Sequence, residues 1–427
     1  MQFAKPTFQI SPSMFKLARG FAGFASAELA NRVVRLAAIL VIARHTDAAL
    51  LGTAALALSL FELTRVLTQA GIGQRIVAAS DAELGAICER ASTLFWACCI
   101  GVALIQLMLA AILYAAFALP EAAAMLAVLS GVYFFMPPGL VQIFLLMRDE
   151  RLGTCASINA AQAILDHLLT AVLIVAWPSA WAIVLPKLLT APVWTLLARR
   201  ARPWLRDGAA PAPIGEFRAY CGGVLASELM AALRLNADKL VISAMLGVQA
   251  LGTYYFAFGA GLGIAQSLVT AFGTVLFASL CRAEGGDRHN QLRAAMLIGL
   301  AILIPVIAAQ AFLAPIYVPI VFGPHWAPAA PYLALLSCAA IPLFLLGGLG
   351  ASYRADRKPG RDAGLASMAT AAALGGLAIG AAHSLAAACA GYSIGLALVV
   401  IPAALRVAAN STPAPTLPSL TDKVMSS

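Results

Sequence analysis

Uninterrupted apolar runs close to the length of a bilayer span recur along the whole chain, and this repetition limits the fold more than any other feature. A spanning helix needs about 20 apolar residues. Backbone polar groups in lipid must be satisfied internally, which leaves only helices or closed barrels. The runs are continuous and lack the dyad alternation of a barrel, so helices are expected. The composition agrees: 62% of residues are hydrophobic and 11% charged, whereas soluble domains are about half apolar and about a quarter charged. Twelve spans are predicted, at 17–43, 51–73, 92–117, 122–146, 155–176, 179–198, 218–245, 250–280, 294–316, 328–352, 363–383 and 385–406. The last two are joined by a very short connection near His383. Glu28, Asn31, Arg32 and Arg35 interrupt the first segment, so it reads as a retained helix and not as a cleaved signal peptide.

The fold class that follows is an all-α polytopic membrane protein with about 12 transmembrane helices. Its expected divisions are a six-helix bundle over 1–198, a linker over 199–217, a second six-helix bundle over 218–408 and a polar tail over 409–427. The linker holds Arg202, Pro203, Asp207, Pro211 and Pro213, and the tail is rich in Ser, Thr and Pro, as disordered segments are. Of the 28 Lys and Arg residues, twenty-one fall in termini and loops on one side, and only Arg44 falls in a loop on the other. By the positive-inside rule the loaded side is cytoplasmic, with both termini inside and the chain in a bacterial inner membrane. The net charge of +9 is thereby explained by topology, with no need for nucleic acid as a partner. The 8 cysteines form no CxxC pair and read as small packing residues, not as a disulfide framework.

A short repeat links the halves. Leu51-Gly52-Thr53 followed by Ala57 returns as Leu251-Gly252-Thr253 followed by Ala257. Six spans separate the copies, so the halves would be parallel and related by a pseudo-two-fold axis along the membrane normal. In an Ala/Gly/Leu-rich chain, chance is the competing explanation.

Several spans carry charge on one face. The first has Glu28, Asn31, Arg32 and Arg35; the second Ser59, Glu62, Arg65 and Gln69; the seventh Glu228, Arg234, Asp238 and Lys239. The fifth has Asn159, Gln162, Asp166 and Thr170 with His167 alongside, and Lys187 sits in the sixth between Pro186 and Pro192. A charge at mid-bilayer costs at least ~2.5–3.5 kcal/mol, so six lipid-facing cations would cost on the order of 15 kcal/mol. They must face one another or a wet cavity. One reading gathers the first, second and seventh spans around a shared cavity. The other pairs them locally, Arg32 with Glu28 and Arg234 with Asp238 at i, i+4. Lys187 suits a structural role equally well, and Asp166 and His167 suit polar packing better than a proton relay. The pairs Gly376–Gly380 and Gly391–Gly395 are spacings that let helices approach closely.

No nucleotide-binding GxxxxGK[ST], no HExxH and no Ser/His/Asp arrangement is present, and the outer loops are short. No catalytic residue, metal site or cofactor is expected, and a transporter fits better than an enzyme.

The run from Arg32 through Ala43-Arg44, Leu51-Gly52-Thr53, Leu67 and Gly71-Ile72-Gly73-Gln74-Arg75 resembles the start of the polysaccharide transporter, or O-antigen flippase, family. Asn236-Ala237-Asp238-Lys239-Leu240, Leu251-Gly252-Thr253-Tyr254 and Met147-Arg148-Asp149-Glu150-Arg151 are similar to other motifs of that family. The resemblance implies the multidrug/oligosaccharidyl-lipid/polysaccharide exporter fold, two six-helix bundles working by alternating access. It implies a substrate in which undecaprenyl diphosphate carries an oligosaccharide for lipopolysaccharide or exopolysaccharide synthesis. Arg32, Arg35, Arg65, Arg234 and Lys239 would then hold the anionic head group, since Arg suits bidentate phosphate contact. Glu28, Glu62, Glu228 and Asp238 would balance charge or bind a coupling Na+ or H+. Expected partners are the lipid-linked oligosaccharide, membrane lipid, and the polymerase and glycosyltransferases of the same pathway, with the transporter itself a monomer. Rival readings are a cation-coupled multidrug exporter of the same superfold, a lipid-II-type flippase, and a membrane polymerase or glycosyltransferase.

Overall fold

The computed structural model describes residues 31–409 apart from 69–70, 206–207, 209, 264–268, 270–271, 274–275, 277–278, 281–285 and 357. Glu28, Gln69 and the tail from Asn410 therefore lie outside the described residues. Every regular element among the described residues is helical. The chain divides into two compact units. The first runs to Ser243 and includes Gly247–Thr253; the second holds Ala244–Leu246 and everything from Tyr254.

In the first unit, α1 is described over residues 31–45. Asp47 then caps α2 (Ala48–Arg65), its Oδ1 accepting from the Leu50 N–H at 2.8 Å. Gly71, at φ 79°, turns the chain into the short α3 (Ile72–Val77). The long α4 (Leu84–Phe117) follows. The fourth predicted span is broken into α5 (Pro120–Leu129), α6 (Val132–Phe135) and α7 (Pro137–Arg148), with a bend of 55° before Pro137. Pro137 and Pro138 have no N–H to continue the ladder. The Phe135 carbonyl, freed by the break, accepts instead from the Thr195 hydroxyl of the sixth span. That replacement is what makes a broken helix tolerable in hydrocarbon. α8 (Leu152–Ala176) and α9 (Ala180–Ala201) pack along each other, and α9 also packs on α2 and α7.

α10 (Gly215–Ala257) holds the predicted seventh span and the start of the eighth, with Gly247 at φ 84° and ψ 175° breaking the helix between them. The repeated glycines meet inside the first unit. A Cβ on Gly52 would stand 2.9 Å from the Gly252 nitrogen, and one on Gly252 would stand 2.8 Å from the Gly52 nitrogen. Each would lie nearer still to a carbonyl oxygen four residues before the other glycine, Val248 or Ala48. The repeat is thus a reciprocal backbone crossing that no larger residue fits.

In the second unit, a π-turn at Phe258–Leu262 leads to residues outside the description, then to α11 (Gly286–Val321). After α11, Gly323 at φ 118° reverses the chain into a 3-10 turn, Pro324–Ala329. There Trp326 is buried and stacks on Phe256 at 4.1 Å between centroids. α12 (Ala330–Ser337) and α13 (Ala340–Ala355) make the tenth span, and α14 (Pro359–Ala381) and α15 (Leu385–Ala409) form the final hairpin. Gly376, Gly380, Gly391 and Gly395 bring its two backbones into contact.

Among the described residues nine helices are long and apolar enough to cross a membrane, and the bent α5–α7 segment makes a tenth. The two other predicted spans are the first, half of which lies outside the description, and the eighth, which that count merges with the seventh across Gly247. Cys88, Cys98, Cys99, Cys155, Cys338 and Cys389 are present as thiols, and Cys88, Cys99, Cys155 and Cys389 of them are buried.

Candidate functional site

The first unit holds a partly open chamber of about 410 Å³. Its walls come from α2 (Phe61, Glu62, Arg65), the broken span α6–α7 (Val132 to Met147), α8 (Asn159, Gln162, Asp166) and α9 (Lys187, Thr190, Trp194). The bend before Pro137 tilts α7, and Trp194 and Thr195 pack against Gly139 in that same bend. On α8 the polar residues at 159, 162 and 166 share one face, as the spacing requires. On α9, Lys187, Thr190 and Trp194 do the same.

Two ion pairs line the chamber. Lys187 Nζ donates to Asp166 Oδ2 at 2.9 Å, joining α9 to α8. Arg65 reaches Glu62 Oε2 at 2.9 Å from Nη2 within α2. Lys187 lies within electrostatic range of Glu62 and Arg65 as well as Asp166. Trp194 Nε1 donates to Asn159 Oδ1 at 2.9 Å, which fixes the indole in the wall. Two polar atoms are left over: Asp166 Oδ1 and Thr190 Oγ1 are buried without a hydrogen-bond partner. Thr190 differs here from Thr53 and Thr170, whose hydroxyls bond back to the carbonyl four residues earlier.

Behind α2 a closed network holds the wall in place. The Tyr133 hydroxyl donates to Gln106 Oε1 at 2.8 Å, the Thr64 hydroxyl touches both, and Gln106 Nε2 donates to the Leu126 carbonyl at 2.7 Å. These groups are buried and satisfied, so they position Glu62 and Arg65 and do not face a ligand.

The predicted site residues are not all in one place. Glu62 and Arg65 line the chamber. Arg32 and Arg35 stand on α1, Arg35 exposed and within electrostatic range of His167. Arg234 and Glu228 are exposed on α10, and Asp238 and Lys239 are buried there, with Lys239 Nζ 3.2 Å from Asp238 Oδ1 and also bonded to the Leu235 carbonyl. Glu28 lies outside the described residues. Lys187, which the sequence suited equally to a structural role, and Asp166, which it suited better to polar packing, both line the chamber, and Thr190 and Trp194 carried no signal. An acid and a base in adjacent membrane spans were the available clue to the pair. Among the described residues no group of three or more His, Cys, Asp or Glu could hold a metal ion.

The end of the first unit that gathers Arg75, Arg90, Arg148, Arg151 and Arg202 is tied together by salt bridges and carbonyl contacts. Arg75 Nη2 bonds Glu83 Oε2 at 3.0 Å and Glu216 Oε2 at 2.8 Å. Arg90 donates to the Ala212 carbonyl, and the Ala212 N–H to the Ala86 carbonyl. The segment entering α10 is therefore strapped to α3 and α4. Glu83 is held below the usual carboxylate range, first by the Ser80 backbone N–H and then by Arg75.

A sequence model for the family described as polysaccharide biosynthesis protein matches residues 41–331. The chain belongs to that family. The match takes in the chamber and the strapped linker but ends in α12. No curated protein matches the chain significantly. Among solved structures, a lipid II flippase MurJ in an inward closed conformation superposes with a TM-score of 0.72 at 13% identity, over 91% of this chain and 90% of that one. An inward-facing multidrug resistance MATE family transporter of the MOP superfamily gives 0.66 at 14% identity, over 89% and 95%. A MOP superfamily transporter from Pyrococcus furiosus gives 0.53 at 16%, over 93% and 96%. At these identities the likeness establishes the fold: this member of the polysaccharide biosynthesis family is a multi-pass helical membrane protein with the MOP superfamily fold.

Proposed function

We propose that the protein is a flippase that moves a lipid-linked oligosaccharide, with undecaprenyl diphosphate as the carrier, across the bacterial inner membrane by alternating access. The observation that carries this reading is a polar chamber with two ion pairs and two unsatisfied polar atoms, built inside a bundle of membrane-spanning helices. Such groups are expensive in a membrane and mark substrate pathways. Membership of a polysaccharide biosynthesis family supports a sugar cargo, and likeness to a lipid II flippase supports a lipid-linked one. Arg32 and Arg35, with Arg65, Arg234 and Lys239, are the cations offered to the diphosphate. The Arg-rich end of the first unit faces the cytoplasm in this reading. Lipopolysaccharide and exopolysaccharide are the polymers in view, and Na+ or H+ is the coupling ion.

The test is depletion of the protein in its host, with lipid-linked oligosaccharide measured on each leaflet. Accumulation on the cytoplasmic leaflet, reversed by the wild-type chain and not by R32A/R35A at equal membrane abundance, is the expected result. An unchanged leaflet distribution on depletion would refute the proposal.

A further inference from the structure

The chamber's formal charges cancel. Glu62 and Asp166 stand against Arg65 and Lys187, and each cation already lies 2.9 Å from its carboxylate. Yet Asp166 is only 7% exposed and Thr190 only 1%, and each holds an oxygen with no partner. Buried polar groups are almost always hydrogen-bonded, because an orphan loses its water and gains nothing in return. Partnerless oxygens occur elsewhere in the unit, on Asn31, Gln74 and Gln142, but Asp166 and Thr190 both line one cavity, and there they are better understood as polar groups awaiting a ligand.

The geometry points to a subsite for an uncharged, hydroxyl-bearing sugar ring, with Asp166 Oδ1 accepting from one hydroxyl and Thr190 Oγ1 bonding another. This rests on the flippase reading above and refines it: the Asp166–Thr190 side of the chamber takes a sugar, leaving the half-exposed Arg65 on α2 to face the diphosphate. A diphosphate is a poor fit at this subsite because the Asp166 carboxylate repels it and the neighbouring Lys187 ammonium is already engaged by that carboxylate. A metal cation is a poor fit because the Lys187 ammonium sits on the other oxygen of the same Asp166 carboxylate. A hydroxyl can donate to an acceptor-only carboxylate oxygen and can also accept from a threonine hydroxyl. Trp194, its N–H already engaged by Asn159, offers an aromatic surface to the apolar side of a ring. The volume of about 410 Å³ lies within the usual range for small-molecule pockets, ~300–1,000 Å³.

The experiment uses the full chain in lipid nanodiscs, probed by saturation-transfer NMR with glucose, galactose and N-acetylglucosamine. Inorganic pyrophosphate and sodium chloride form two further arms. Thr190→Val removes a hydroxyl that bonds nothing in the protein, so the variant keeps or gains thermal stability. Its affinity for the bound sugar falls about tenfold. D166N weakens the same sugar, and D166N/K187M serves where the single variant fails to fold. The inference is overturned if none of the sugars binds, if T190V binds them as wild type does, or if it is pyrophosphate or sodium whose binding T190V abolishes. Loss of sugar binding in T190V stands even if depletion leaves the leaflet distribution unchanged, which would sink the flippase reading alone. Intact flipping with no sugar binding sinks only the subsite.

Discussion

Replacing Gly52 by Ala tests the reciprocal crossing directly. A new Cβ there would stand 2.9 Å from the Gly252 nitrogen and closer still to the Val248 carbonyl oxygen, and both atoms are backbone, so no side chain can swing away. Ordinary contact requires the helices to part by more than about 1 Å, and a gap of 0.5–1 Å already forfeits roughly a quarter to a half of each lost contact's attraction. Leu51, Ala55 and Leu251, all buried, flank the two glycines and would feel that gap. Overpacking of this kind costs about 1–3 kcal/mol. The mirror variant G252A should cost about the same, because its Cβ meets the Gly52 nitrogen at 2.8 Å. The double variant is the informative one. Once the first methyl has opened the crossing, the second enters space already made, so the pair should fall short of additivity by ~1 kcal/mol or more. G101A is the control: a Cβ at Gly101 meets nothing within 4 Å, so it should be neutral or mildly stabilising in its helix. The assay is thermal unfolding of the purified protein in one detergent, with denaturant titration where it is reversible. Wild-type stability in G52A, or full additivity in the double variant, would refute the crossing.

Four further outcomes follow from particular contacts. T195V leaves the Phe135 carbonyl without its replacement donor and should cost about 1–3 kcal/mol, read as a lower unfolding temperature; no change would mean the broken span needs no such partner. In the final hairpin, a Cβ on Gly391 would lie 2.7 Å from the Gly376 carbonyl carbon, so G391V should destabilise α14–α15 and expose it to protease, whereas G375V on the open face should not. R75A removes the bridge to both Glu83 and Glu216 and should speed hydrogen exchange across residues 211–217 without altering that of α8 or α9. Because the Glu83 carboxyl is held below its ordinary value in the folded chain, its contribution is complete above the unfolded value of about 4.3 and fades as pH falls through the lower folded value. Exchange in the strap should therefore rise on acidification, and that rise should shrink in R75A, which has already lost the bridge.

Hydropathy placed the spans because the bilayer imposes a length on every helix, and the short connection near His383 is indeed a tight turn, Ala382–Ser384, between α14 and α15. The glycine spacings at 376, 380, 391 and 395 were legible for a related reason, since only small residues suit a close crossing. The break at Pro137 was less so. A proline pair shows that hydrogen bonds are lost, but not that Thr195, distant in sequence, supplies one back. Charge was legible as a stripe and illegible as a partnership. Arg32, Arg35, Glu62 and Arg65 announce polar faces by their spacing, but the bond from Lys187 to Asp166 depends on how α8 and α9 are rotated against each other, which no pattern within either helix states. Thr190 lay deeper still. A threonine in an apolar helix normally bonds back to its own turn, as Thr170 does, so the residue becomes informative only when the folded chain shows that bond unmade. A residue whose composition is unremarkable and whose native state is unsatisfied thus marks the chamber more sharply than the charges that first drew attention to these spans, because a charge can be explained by its ion-pair partner and an orphaned hydroxyl cannot.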